Sequence, residues 1–230
     1  MKSAVVANNE AYFQNRKHAA YLLGERLMEF NNSNAVVLAV PGGGIHMGSY
    51  LADLLNLPLD VIPCKKIKHP ADAHKTIGAV SNDSVVIRDP DHKFPQDYIY
   101  HQIQMLQHVI KMQNKHYDME RQQVSLAGRP VILVDDMLRT GDTMLACLKS
   151  VRKLRPSKIV VAVPNITPEA ARTIADYIEA IIYLTIEPNA VINLYAEFPP
   201  IKEEEVLEIL RQNKVSQVSS FDDDSLDLIV

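Results

Sequence analysis

The 230-residue chain is 47% hydrophobic and 23% charged, with a formal net charge of −4, which is the make-up of an ordinary soluble globular protein of one sizeable domain. It carries no basic footprint that would mark nucleic acid as the primary partner, so an anionic ligand must be gripped locally. No run approaches the roughly 18 apolar residues of a membrane span, and Cys64 and Cys147 lack disulfide-like spacing, which fits a reducing, cytoplasmic setting with no membrane partner.

Glu10 to Phe30 has a helical pattern, with Phe13, Ala20, Leu23, Leu27 and Phe30 on one apolar side and Asn31 to Asn34 as the stop. Ala35 to Val40 predicts a buried strand. The loop Pro41, Gly42, Gly43, Gly44 then feeds a helix from Ile45 to Leu55, and Asp60 to Pro63 reads as the next strand, a βαβ start. From Cys64 to Ile87 the pattern is mixed, with Ile77 to Val80 and Ser84 to Arg88 suited to a hairpin or an edge extension. Pro95 to Gln122 predicts a long polar helix that packs on one face through Ile99, Ile103, Leu106 and Ile110. His101, His108 and His116 on that helix are read as a solvated or half-buried face, since only His108 and His116 align across two turns.

Gly128 and Pro130 introduce the apolar run Val131 to Val134, which suits a strand covered on both faces of a parallel sheet. A helix over Met144 to Leu154, a strand over Lys158 to Val163, a helix over Thr167 to Asp176 and a strand over Ala180 to Leu184 follow. Thr167 is placed as N-cap and Pro168 as first helical residue. This alternation predicts an α/β fold, a mostly parallel twisted sheet flanked by helices on both faces. Glu187 to Ile209 adds a small C-terminal hood with a short helix over Glu203 to Leu210. Residues 1–214 are expected to form one domain and 215–230 a solvated, polar acidic tail without fixed structure.

The chemistry concentrates after the run Val131 to Val134. Asp135 and Asp136 stand at the carboxyl end of that strand, where open α/β sheets bind ligands in a crevice, and their oxygens are acceptors for vicinal hydroxyls. Thr140, Gly141, Asp142 and Thr143 lead into a helix start whose first N–H groups lack intrahelical partners. Gly141 lets the backbone approach an anion, and the hydroxyls of Thr140 and Thr143 can donate to it. Hydroxyl acceptors beside an anion cradle describe a ribose 5-phosphate. Two other readings compete: a phosphoacceptor receiver, against which the position of the acids past mid-chain counts, and a plain helix-capping aspartate, which does not require the Thr-Gly-x-Thr pattern.

Gly42, Gly43 and Gly44 also follow a buried strand and open a helix, so their N–H groups can form an anion nest, although a tight turn with no ligand has the same composition. Lys65 and Lys66, just past a predicted strand end, face the same crevice or form a solvated pair. Lys68, His69, His74 and Lys75 make a basic cluster suited to a closing loop. Tyr195 and Phe198 read as aromatic packing or as a platform for an acceptor ring.

The apolar strand, acid pair, three variable residues and Thr-Gly-x-Thr resemble the phosphoribosyl pyrophosphate (PRPP) motif of type I phosphoribosyltransferases. Val36 to Ile45, Lys65 to Ile67, Ile77 to Val80 and Val160 to Pro164 fall in the order of a bacterial group of that family, so the similarity spans roughly residues 10–210. The resemblance implies transfer of a phosphoribosyl group from PRPP to a small-molecule acceptor, with pyrophosphate leaving and C1 inverting. It implies that Asp135, Asp136 and Lys66 are catalytic, and that Met137, Leu138, Arg139, Thr140, Gly141, Asp142 and Thr143 bind the 5-phosphate end. Pro41, Gly42, Gly43, Gly44 and Lys65 would then bind pyrophosphate. Mg²⁺ is the implied cofactor, bridged through PRPP and water with no direct protein ligand, and a homodimer the implied assembly.

Three positions depart from the family pattern. The family usually has an arginine where this chain has Gly42, and His46 replaces a common proline; His46 or the pair Lys65/Lys66 is the compensating candidate. Arg139 stands where 6-oxopurine enzymes of the family carry an aspartate. Arginine cannot accept a hydrogen bond from a purine N–H, which disfavours those bases; it suits an acidic acceptor or a second phosphate, or equally a position facing solvent.

Overall fold

A helix begins where its first N–H groups find a cap, and Asn15 provides one here by accepting the His18 N–H. The computed structural model describes residues 12–88, 93–121, 123–188 and 194–223, with side chains except at 73–74 and 214–223. Helix α1 (Arg16–Arg26) thus starts later than periodicity predicts, because Phe13 leaves the helical path and bridges Tyr195 instead. The predicted start at Glu10 lies outside the described residues. A 3-10 turn over Met28–Phe30 completes the segment.

Strand β1 (Val36–Ala39) is buried along its whole length and runs into α2 (Gly43–Leu55). The predicted glycine loop is therefore mostly helix: Gly43 and Gly44 form its first turn, with Gly42 as N-cap at φ 107°. Strand β2 (Leu59–Val61) follows. The mixed region resolves into β3 (Cys64–His69), β4 (Asp72–Ser81) and β5 (Ser84–Ile87), an antiparallel sheet of its own in the order β3-β4-β5. The expected hairpin pairing is present, with Val80 opposite Val85 and Ser81 opposite Ser84. This sheet interrupts the strict strand-helix alternation that the pattern predicted.

Helix α3 (Gln96–Glu120) buries Ile99, Ile110 and Tyr117, and Ile110 joins Ile67, Ile77 and Val80 of the small sheet in one apolar cluster. Strand β6 (Pro130–Val134), helix α4 (Asp142–Lys153), strand β7 (Lys158–Ile166), helix α5 (Pro168–Ile174) and strand β8 (Ala180–Ile186) complete the main body. Thr167 caps α5 by accepting the Ala170 N–H, with Pro168 behind it. Helix α6 (Glu203–Asp223) is longer than the predicted short helix and runs on through the stretch expected as the start of the tail.

The main sheet has the order β2-β1-β6-β7-β8, and every pairing is parallel. Alternate strand residues feed two cores. Val37, Ala39, Ile132 and Val134 pack with α1, α2 and α6 on one face, while Val36, Leu38, Val131 and Leu133 pack with α4 and α5 on the other. That is a three-layer α/β fold, and the carboxyl ends of β1 and β6 meet side by side, Ala39 opposite Val134. Among the described residues no helix is long and apolar enough to cross a membrane.

Candidate functional site

Where β6 ends, Asp135 and Asp136 lie against the start of α2, beside Gly44 and Gly43. Asp135 turns back on its own strand end, its Oδ1 accepting the Asp136 N–H at 2.9 Å. Burial foremost, and the neighbouring Asp136 carboxylate next, hold the Asp135 carboxyl well above the usual carboxylate range; the Asp136 N–H and the Lys66 ammonium offset part of this. Asp136 has a different environment. Its Oδ2 accepts Arg16 Nε at 2.9 Å, and its carbonyl accepts the Tyr195 hydroxyl at 3.0 Å.

Arg16 is the residue that periodicity missed. It lies on the buried face of α1 with Ala19, Ala20 and Leu23, and its side chain is 9% exposed. Its guanidinium covers the Phe198 ring at 3.8 Å and donates to the Pro199 carbonyl at 2.7 Å. The hood is stitched to the same segment: the Phe13 N–H donates to the Leu194 carbonyl, and the Ala196 and Glu197 N–H groups donate to the Phe13 and Gln14 carbonyls. The signal was present in the spacing, since Arg16 precedes Ala19, Ala20 and Leu23 by three, four and seven positions.

The start of α2 packs directly onto this pair. A Cβ at Gly43 would lie 1.5 Å from Asp136 Oδ2 and 2.8 Å from Arg16 Nε, and one at Gly44 2.8 Å from the Val134 carbonyl. Glycine is required here by close approach. Gly42 provides no side-chain cap, so the first N–H groups of α2 stay available to an anion. Pro41 and Gly42 are partly exposed at its mouth.

The start of α4 has the same design with different parts. Gly141 is the N-cap, left-handed at φ 82°, and it too gives no side-chain cap. Asp142 is the first helical residue and is only 2% exposed. Its two oxygens are taken: Oδ1 accepts Arg88 Nε, and Oδ2 accepts the Thr140 hydroxyl at 3.0 Å. The Thr140 hydroxyl is thus turned within the loop toward the Asp142 carboxylate, a charged acceptor. Arg88, which no local sequence signal marks, also donates to the Thr140 carbonyl at 2.7 Å, to Thr173 Oγ1 at 3.1 Å and to Glu169.

The remaining expected residues divide. Lys65 and Lys66 lie inside β3 rather than past a strand end, opposite Val80 and Ala79; Lys66 is exposed and Lys65 half-buried. Leu138 is buried and pairs with Ile166, while Met137 is half-buried. Arg139 is exposed and its carbonyl accepts the Thr167 hydroxyl at 2.6 Å. Thr143 is half-buried, and its carbonyl lies 3.6 Å from Cys64 Sγ. His46 points to α6, with Nε2 3.4 Å from Glu205. In the basic cluster His69 accepts the Ala71 N–H and meets the Phe94 ring edge-on, and Lys75 pairs with Asp72. Both cysteines are free thiols. Among the described residues no group of three His, Cys, Asp or Glu side chains is gathered to hold a metal.

A family model described as the phosphoribosyl transferase domain matches residues 8–197. Two Mycobacterium tuberculosis proteins, from strains CDC 1551 / Oshkosh and ATCC 25618 / H37Rv and each named "Putative phosphoribosyl transferase", are 27% identical over 204 residues. The match covers 86% of this chain and 46% of theirs, so the chain spans about half the length of the curated relatives it matches. The crystal structure of TT1426 from Thermus thermophilus superposes with a TM-score of 0.72 at 29% identity, covering 87% of this chain and 98% of that one.

Proposed function

The chain belongs to the phosphoribosyl transferase domain family, and from that premise we propose that it transfers a phosphoribosyl group between PRPP and a nucleophilic small-molecule acceptor, releasing pyrophosphate. One observation carries the reading: the acid pair at the end of β6 packs against one glycine-opened helix start and leads within six residues into a second, neither of which has a side-chain cap. A ligand with vicinal hydroxyls flanked by two phosphate groups matches that order of acceptors and donors.

In this proposal Asp135 and Asp136 hold the ribose hydroxyls. Gly141, with Thr140 and Thr143, receives the 5-phosphate, and Gly42 to Gly44 with Lys65 and Lys66 receive pyrophosphate. The C1 bond to pyrophosphate breaks as the acceptor bonds to the opposite face of C1. Positive charge builds on the ribose in that step, so the work of the protein is positioning and stabilising the leaving group. Mg²⁺ is the cofactor this reading implies, since the hard oxygens of a polyphosphate and of water suit it without a direct protein ligand. When bound, it supplies positive charge to the pyrophosphate oxygens. A cation at Arg139, which is exposed and so free to reach a ligand, would suit an acidic acceptor or one bearing a second phosphate.

Calorimetric titration with PRPP and Mg²⁺, followed by pyrophosphate release against a panel of neutral and acidic bases, tests the proposal. Binding with release on at least one acceptor is expected. Absence of PRPP binding would overturn it. A second reading, a non-catalytic protein that senses PRPP or a nucleotide, is favoured by Gly42, which leaves the mouth of α2 without a cation of its own; binding with no release on any acceptor decides for it.

A further inference from the structure

A carboxylate is the wrong charge for the first residue of an anion-binding turn, yet Asp142 occupies that place and is almost fully buried. A phosphate arriving at the N–H groups of Gly141, Asp142 and Thr143 would meet like charge unless something neutralised it. Both Asp142 oxygens are in fact capped, one by Arg88 and the other by Thr140.

We infer that Arg88 is a positioning residue for the phosphate turn, neutralising Asp142 and fixing the peptide between Thr140 and Gly141, so that phosphate recognition depends on the antiparallel sheet that carries Arg88. This rests on the reading that the turn receives a phosphate monoester. The Thr140 carbonyl is bound to Arg88 at 2.7 Å. Across a trans peptide the following N–H points the opposite way, and the peptide between Thr140 and Gly141 is trans. Arg88 therefore aims the Gly141 N–H away from itself.

The same guanidinium reaches Thr173 and Glu169 of α5. Glu169 is mostly exposed, its side chain at 54% against 2% for Asp142, so water screens it and Asp142 is the partner that depends on Arg88. The backbone of Arg88 is fixed in turn, its N–H donating to the Ile77 carbonyl of β4 at 2.7 Å. Lys65 and Lys66 belong to the same sheet. The sheet thus holds the cations assigned to pyrophosphate, and the arginine behind the phosphate turn follows directly on its last strand.

The test compares two ligands on the full chain, ribose 5-phosphate alone and pyrophosphate with Mg²⁺, by calorimetry. Arg88→Gln is expected to weaken ribose 5-phosphate by about 30-fold, the scale of one charge-assisted contact, and pyrophosphate by no more than about 2-fold. Adding Asp142→Asn should restore most of that affinity, because the uncompensated carboxylate is gone. Arg88→Lys should fall between, since an ammonium can pair with Asp142 but cannot hold Thr140 and Thr173 in the same fork. Wild-type affinity for ribose 5-phosphate in Arg88→Gln would overturn the inference, and so would equal losses on both ligands, which mark a general structural role. Should Arg88→Gln not fold, Arg88→Lys carries the comparison, a loss confined to ribose 5-phosphate supporting the inference and unchanged affinity overturning it. If the wild type binds pyrophosphate but not ribose 5-phosphate, the assignment of the turn fails and the inference with it; if it binds neither, the phosphoribosyl reading itself has failed.

Discussion

The starts of α2 and α4 solve one problem in two ways. Each opens with a glycine that gives no side-chain cap, and each carries a carboxylate that an arginine from a distant element neutralises. At α2 the carboxylate belongs to the neighbouring strand end, Asp136, and its partner Arg16 is shared with the hood through Phe198 and Pro199. At α4 the carboxylate is the first residue of the helix, Asp142, and its partner comes from the antiparallel sheet. The difference teaches that the two halves of the site lean on different parts of the molecule, so each can be broken while the other is left standing.

The most damaging change is predicted at α2. Gly43→Ala puts a methyl group 1.5 Å from Asp136 Oδ2 and 2.2 Å from its Cγ, so the carboxylate must leave Arg16. Breaking a largely buried ion pair costs roughly 3–5 kcal/mol, and binding of PRPP should fall below detection. Gly141→Ala is milder: its Cβ meets Thr173 and Ala170 at 3.0 and 3.1 Å, and left-handed backbone costs an alanine roughly 1–2 kcal/mol. Denaturant melts of the two variants check the order; equal losses would show that the starts are not supported separately.

Next come the two acids. Asp136→Asn removes the partner of a buried guanidinium and should destabilise by roughly 2–4 kcal/mol. Asp135→Asn should do the reverse. The folded-state Asp135 carboxyl titrates above its unfolded value, so in the window between them the folded state holds a proton that the unfolded state has lost. Stability then falls as pH rises through that window and stays lowered above it. The asparagine lacks this fall, so its gain over the wild type should appear as pH rises above the ordinary carboxylate range. Both variants should lose ribose 5-phosphate, and wild-type binding of that ligand should fade on acidification at a higher pH than an unperturbed carboxylate would give. Paired melts and titrations across pH test this; identical stability of the two variants would refute the asymmetry.

Much of this was legible in the sequence, and what was not has a physical reason. The β6 strand and its acids were placed from the apolar run after Pro130, and the α5 cap from Thr167 followed by Pro168, because these signals are local. Periodicity starts α1 too early because Phe13 keeps the apolar period while its backbone bridges Tyr195. The glycine run read as a loop, since glycine weakens a helical pattern even where close approach to Asp136 makes it the only residue that fits. Arg16 and Arg88 stand 120 and 54 positions from their carboxylates, and nothing local in the sequence pairs them.

The smallest effect is expected at a third helix start, which serves as the control for the other two. α5 is capped by a side chain: Thr167 accepts the Ala170 N–H at 3.0 Å and donates to the Arg139 carbonyl at 2.6 Å. A helix closed in this way offers fewer free N–H groups to an anion than one opened by glycine. Thr167→Ala removes the cap at a cost of about 1 kcal/mol and frees the Arg139 carbonyl, but it touches neither carboxylate-arginine pair. Affinity for ribose 5-phosphate and for pyrophosphate should therefore stay within about 2-fold of the wild type. A larger loss on ribose 5-phosphate alone would mean that the α4 turn leans on α5 through Arg139 as well as on the small sheet through Arg88.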